Sequence, residues 1–182
     1  MKYFLSVVFV AHLWALSTSL TAAPAAFQPL QPLPAQPPIP PDNPQTPAKI
    51  ALGKQLFFDP RLSVNGSLSC NSCHNVLAGG EDGRRQTPGA HGKPNPRSVP
   101  TLWNVAYFTA HYRDGRVDTL EQQVQDHLLS ETEMGNANPA QILDKLRRIP
   151  GYVSQFTQVF GKEGLTYHTL AQAISAYERT LV

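Results

Sequence analysis

The sequence predicts an all-α domain with long irregular segments, and three observations carry that prediction. Apolar residues recur at helical spacing in five separate stretches. No stretch after the first 26 residues alternates apolar and polar side chains as a half-buried strand would. The segment from Asn75 to Pro100 is rich in glycine and proline, and a loop of that length in a compact domain is usually functional or disordered. The helices are short and the loops long, so the pattern calls for something besides helix packing to order the chain.

The first element reads as an export signal. Lys2 is the lone early charge, an apolar run follows from Tyr3 to Leu16, and small residues crowd Ser17 to Ala26. Cleavage after Ala25 would leave Ala23 at −3, as the small-x-small rule asks. The run is shorter than the ~20 residues of a spanning helix, and no cysteine follows it to carry a lipid. The expectation is a signal over 1–25, a periplasmic destination and no membrane span after cleavage. Residues 26–41 read as a proline-rich linker. Pro24 to Pro47 holds ten of the seventeen prolines, and proline fixes φ and lacks an N–H, which favours extended polyproline II.

The folded domain is expected over 42–182. Thr46-Pro47 is a helix start, with threonine as N-cap and proline at the first helical position. Ile50, Gly53, Leu56 and Phe57 share a face, and Asp59-Pro60 stops the helix. Asp118 to Leu128 is a second helix, where Asp118 and Glu121 have capping-box spacing. Asn138-Pro139 opens a third, with Ile142, Leu143, Leu146 and Ile149 inward. Tyr152, Val153, Phe156, Val159 and Phe160 repeat the pattern. Thr166 caps the last, along which Leu170, Ala173, Ile174, Tyr177 and Leu181 form a stripe.

Composition excludes more than it assigns. Hydrophobic residues make up 41% of the chain, enough for a core. Lys and Arg number 15 against 13 Asp and Glu, a balance that excludes a nucleic-acid binder driven by phosphate contacts. Two cysteines cannot staple a disulfide-rich scaffold. Both fall within Cys70-Asn71-Ser72-Cys73-His74. On one turn of helix, two thiols three residues apart can each add to a vinyl group of the same haem, and the adjacent His74 can give a ring nitrogen to iron. A zinc site would need two more ligands at suitable spacing, and a redox dithiol would follow a strand in a βαβ unit; the sequence has neither. The prediction is one covalent haem c held by Cys70, Cys73 and His74, with a cytochrome c-like helical domain wrapped around it.

The other face of the iron separates an electron carrier from an enzyme, because an enzyme needs the sixth position open or openable. With His12 inside the signal, the candidates are His91, His111, His127, His168 and Met134. Met134 follows His74 by 60 residues, a spacing seen in small electron-transfer cytochromes, and His91 lies in a Gly-Ala-His-Gly loop that could fold over the porphyrin.

From about Asp42 to Val182 the chain resembles the N-terminal half of the bacterial di-haem cytochrome c peroxidase family, which includes the MauG proteins. The resemblance rests on Leu52-Gly53-Lys54-Gln55-Leu56-Phe57-Phe58-Asp59-Pro60-Arg61-Leu62-Ser63 and the Cys70–His74 motif. It continues through Gly79-Gly80-Glu81-Asp82, Pro100-Thr101-Leu102-Trp103-Asn104, Asp114-Gly115-Arg116 and Glu133-Met134. It closes with Ile149-Pro150-Gly151-Tyr152 and Ala176-Tyr177-Glu178-Arg179-Thr180-Leu181. It implies a peroxidatic haem with His74 as proximal ligand, His91 as a resting distal ligand, and Glu133 with Gln123 in the distal pocket. A carboxylate there can take and return a proton during peroxide cleavage, and Gln123 can orient the leaving oxygen. Hydrogen peroxide, a small cytochrome or copper-protein donor and a second haem domain are the implied partners.

Four positions depart from the family pattern. Arg113 stands where the family often has a tryptophan between its two haems. Ser98 replaces an asparagine tied to an inter-domain calcium, and Asp126-His127 replaces Gly-Pro. Only one haem motif is present. The expectation is a cytochrome c peroxidase-like protein, set against a non-catalytic single-haem electron-transfer domain or one half of a di-haem enzyme.

Overall fold

The computed structural model describes residues 29–182, so the signal expected over 1–25 lies outside the described residues. Pro29–Pro32 belong to an N-terminal unit and carry no regular element; Leu33–Val182 form the unit that holds the site. Its elements are α1 (Pro47–Phe57), α2 (Cys70–Cys73), α3 (Leu120–Leu129), α4 (Pro139–Arg147), α5 (Pro150–Phe160) and α6 (Tyr167–Glu178), with 3₁₀ turns at Pro60–Leu62, Val105–Tyr107 and Gly161–Glu163. Among the described residues the only β pairing is three isolated antiparallel bridges within the 75–117 region. The fold is all-α, and none of its described helices is long and apolar enough to cross a membrane.

Capping explains where most helices begin. The Thr46 side chain accepts the Lys49 N–H, Asn138 accepts Gln141 N–H and Thr166 accepts Thr169 N–H, each satisfying a backbone donor that the first turn leaves free. The second long helix starts one residue later than its expected capping box. Thr119, not Asp118, is the N-cap and accepts the Gln122 N–H. Glu121 does not turn back on the cap because its carboxylate is drawn into a buried ion pair with Arg179. Ile149 lies beyond the end of α4 and caps α5. Val153 points outward, 40% exposed, because the buried face of α5 runs through Tyr152 and Phe156.

α6 is the central element. Thr169 to Glu178 are all buried, as expected of a helix covered on every side. α1 and α3 pack on it. The α1 crossing is close at Gly53, where a Cβ would lie 1.8 Å from the Ala173 carbonyl oxygen. Leu56, Phe57, Val124, Leu128, Leu170 and Ile174 fill the space around this crossing, joined by Ile142, Leu146 and Phe156.

A polar network ties the same helices. Arg179 donates to both oxygens of Glu121, at 2.6 and 2.9 Å. Asn43 donates to Glu121 at 2.6 Å and to the Gln172 carbonyl at 3.0 Å, and Lys49 donates to Asn43 at 2.8 Å. Burial alone would raise the Glu121 carboxyl, but the hydrogen bonds from Arg179 and Asn43 outweigh it and the group sits below its ordinary range. At the other end, Tyr152 donates to Asp59 at 2.5 Å, and Asp59 also accepts from Arg61. This joins α5 to the turn after α1.

Gly53→Ala is expected to destabilise by about 1–3 kcal/mol through overpacking. Gly151→Ala, where a Cβ meets nothing within 4 Å, is expected to be neutral or to stabilise by up to ~1 kcal/mol; urea midpoints of the two variants check both. The lowered Glu121 carboxyl contributes stability that is present above 4.5, its ordinary value, and is lost as pH falls below it. Glu121→Gln should therefore lower stability at neutral pH and flatten the acid limb, as read from thermal melts across that range.

Candidate haem site

α2 is a single turn, and its geometry follows from local bonds. The Ser69 N–H donates to the Ser72 hydroxyl at 3.0 Å, and the His74 N–H closes the turn on the Cys70 carbonyl at 2.9 Å. Cys70 and Cys73, three residues apart, therefore lie on one side of the turn. Both are free thiols, Cys70 buried and Cys73 partly so. Burial pushes both thiols up, Cys73 to about 11. Thiolates primed for disulfide exchange show the opposite shift. Among the described residues no group of three His, Cys, Asp or Glu is placed to hold a metal ion without a macrocycle.

His74 is fixed by two backbone carbonyls. Its Nδ1 lies 3.0 Å from Pro100 O and 3.3 Å from Gly80 O. With two acceptors there, Nδ1 carries the proton and Nε2 keeps its lone pair, the arrangement a metal-binding imidazole needs. Burial, with the nearby His127 adding to it, lowers the ring to about 4, so His74 is neutral at physiological pH.

A cavity of about 330 Å³ opens beside His74. Pro100, Leu102, Val105, Phe108 and Leu120 give it apolar walls, while Arg97, Arg113 and Arg116 stand at its border. A small crevice at Cys73, lined by Leu68, His127 and Met134, shares Asn95, Val99, Thr132 and Glu133 with it. Gln123 and Glu133, both singled out in the sequence, line the larger cavity together with His74.

Glu133 is held by several groups. The Asn95 amide donates to one oxygen at 3.0 Å. The His127 Nδ1 lies 3.2 Å from the other, although it is not aligned as a hydrogen bond, so this contact is an ion pair. Burial alone would raise the Glu133 carboxyl, but the His127 charge outweighs it and holds the group at about 2. Burial would lower His127, and Glu133 reverses that and raises it. Both partners thus favour their charged forms. The neighbouring Glu178 behaves differently: burial pushes it up to about 8, which keeps it protonated.

The other sequence candidates take up different positions. His91 is exposed, and its Nε2 donates to the Gly135 carbonyl at 3.0 Å. Met134 is buried in the core and reaches the crevice at Cys73. His111 is buried at the border of the larger cavity, and His168 is exposed. The structure also brings in residues that sequence reasoning did not choose. Asn95 has no local signal. Tyr112 lines the cavity with φ of 64°, a strained conformation for a bulky residue, beneath the Arg116 guanidinium, 3.4 Å from its ring centroid. His127, already one of the sequence candidates for the second ligand, follows Gln123 by four residues on α3, hence on the same helix face. Two departures from the family pattern are partners in space. Arg113 donates to the Ser98 hydroxyl at 3.1 Å and to the Ser98 carbonyl at 3.3 Å.

These residues fit a c-type haem. Two uncharged thiols lie on one turn beside an imidazole with a free Nε2, next to an apolar cavity bordered by three guanidinium groups. The porphyrin is an apolar plate with two carboxylates, and arginine suits carboxylates. Residues 47–182 match the family described as di-haem cytochrome c peroxidase. The chain is 41% identical over 137 residues to the methylamine utilization protein MauG of Methylorubrum extorquens, covering 75% of this chain and 38% of that protein. It is 41% identical over 133 residues to the cytochrome c551 peroxidase of Pseudomonas aeruginosa, covering 72% and 38%. In structure it is similar to a MauG-like protein associated with microbial copper homeostasis, with a TM-score of 0.75, 33% identity, and 88% of this chain against 47% of that one covered. The chain spans about two fifths of the length of these curated relatives. A match that runs from the first helix through the last, and includes the cysteine turn, makes this chain a member of the di-haem cytochrome c peroxidase family.

Proposed function

We propose that residues 42–182 are a peroxidatic-type haem domain that reduces hydrogen peroxide with electrons from an outside donor, a small cytochrome or copper protein. Residues 1–25 would direct export to the periplasm and 26–41 would serve as a spacer. Cys70 and Cys73 would hold one haem through thioethers, and His74 would give its iron a ring nitrogen. When bound, the haem supplies the redox-active iron on which peroxide is reduced.

The remaining chemistry belongs to the chain. The observation that carries the proposal is that Glu133 lines the same cavity as His74. At neutral pH it can accept a proton from entering peroxide and return it to the departing oxygen, as general acid–base catalysis requires. Asn95 fixes the carboxylate, and Gln123, on the same cavity wall, can donate to an oxygen there. The apolar walls exclude water and strengthen these interactions. Calcium is disfavoured at Ser98, since both its oxygens accept from the Arg113 guanidinium, which repels a second cation. A non-catalytic electron carrier is the second reading, favoured by the position of His127 beside His74.

Glu133→Gln is expected to retain covalent haem and to lose about 10²–10⁴-fold in peroxide turnover, the usual contribution of a proton-transfer group. Stopped-flow mixing of the reduced protein with peroxide measures it. Turnover within a few-fold of the parent would reject the catalytic reading in favour of the carrier.

A further inference from the structure

His127 is a histidine in an unusual place. Its side chain is buried against His74, with ring centroids 6.4 Å apart and planes inclined at 63°. A metal-bound imidazole nitrogen sits roughly 2 Å from the metal and about 1 Å from its own ring centroid, so two rings on opposite sides of one metal have centroids about 6 Å apart. The observed separation matches that requirement. The outer nitrogens are committed in the same sense. His74 turns Nδ1 to the Pro100 and Gly80 carbonyls, and His127 turns Nδ1 to Glu133 at 3.2 Å. His74 keeps Nε2 unprotonated; at His127 metal binding would release the Nε2 proton while Nδ1–H stays with Glu133, and a carboxylate behind a histidine is the usual support of a metal-binding imidazole.

The rival groups are placed differently. The His91 Nε2 is already engaged by the Gly135 carbonyl, and the ring is exposed. Met134 is packed in the core cluster. We propose that His127 is the second axial ligand of the iron that His74 holds, so that the resting iron carries two imidazoles and an incoming peroxide must displace His127. Glu133 would then serve as the hydrogen-bonding support of this ligand and, once His127 has left, as the proton acceptor. The inference rests on the haem attachment proposed above.

The test uses the full chain matured with haem and studied in the ferric state by low-temperature electron paramagnetic resonance and visible absorption. The parent protein should show a low-spin signal of two imidazoles. His127→Ala should keep the haem and lose that signal in favour of high-spin iron, and added imidazole should restore it. His91→Ala and Met134→Leu should leave it unchanged. If His127→Ala does not mature, near-infrared magnetic circular dichroism of the parent and of the other two variants still separates two imidazoles from imidazole plus thioether. A high-spin parent, a thioether band, a low-spin signal that survives His127→Ala, or one that disappears in His91→Ala overturns the assignment. A chain that takes up no covalent haem overturns the underlying reading instead, and pigment on the denatured polypeptide separates the two failures.

Discussion

The His74 Nδ1–H donated to the Pro100 carbonyl is the bond on which the site depends. It joins the cysteine turn to the far end of a long loop and sets which ring nitrogen stays free. Gly80 supports it from inside the loop. Its carbonyl accepts from His74 and from the Leu102 N–H, and its φ of 73° together with the 2.9 Å that a Cβ would leave to Leu102 N restricts the position to glycine. The loop is irregular because its task is to return two carbonyls to one imidazole. Strand or helix would commit those carbonyls to a backbone ladder.

Two buried ion pairs divide the remaining work. Glu121 and Arg179 are bidentate and supported by Asn43, so their desolvation is offset by several well-aligned bonds. They lock α3 against α6. Glu133 and His127 meet without good alignment, next to the cavity. The first pair is built to hold geometry. The second has no such alignment to hold its members in place.

Much of the helical frame was legible because its signals are local. Thr46-Pro47, Asn138-Pro139 and Thr166 each place a cap oxygen within reach of a backbone N–H a few residues on, and the structure uses all three. Asp118 and Thr119 are adjacent cap-type residues. The choice between them falls with Arg179, 58 residues from Glu121, and no local pattern shows it. The cysteine turn was legible because its three groups are contiguous. Gln123 and Glu133 entered through family resemblance, and their shared cavity depends on how α3 and the segment after it pack. The path of the glycine-rich loop was not legible, so neither the role of Asn95 nor the position of His91 on the Gly135 carbonyl could be read. Helical spacing alone put His127 on the face of Gln123; its neighbourhood with His74 is a property of the fold.

The account stands on Cys70 and Cys73 carrying one haem beside His74. Its most direct measurement is the mass of the proteolytic peptide containing Cys70–His74 from the mature protein, taken after treatment with a thiol-alkylating reagent. The account predicts a peptide heavier by one haem, with neither cysteine alkylated. A peptide without haem that takes up two alkyl groups would contradict it.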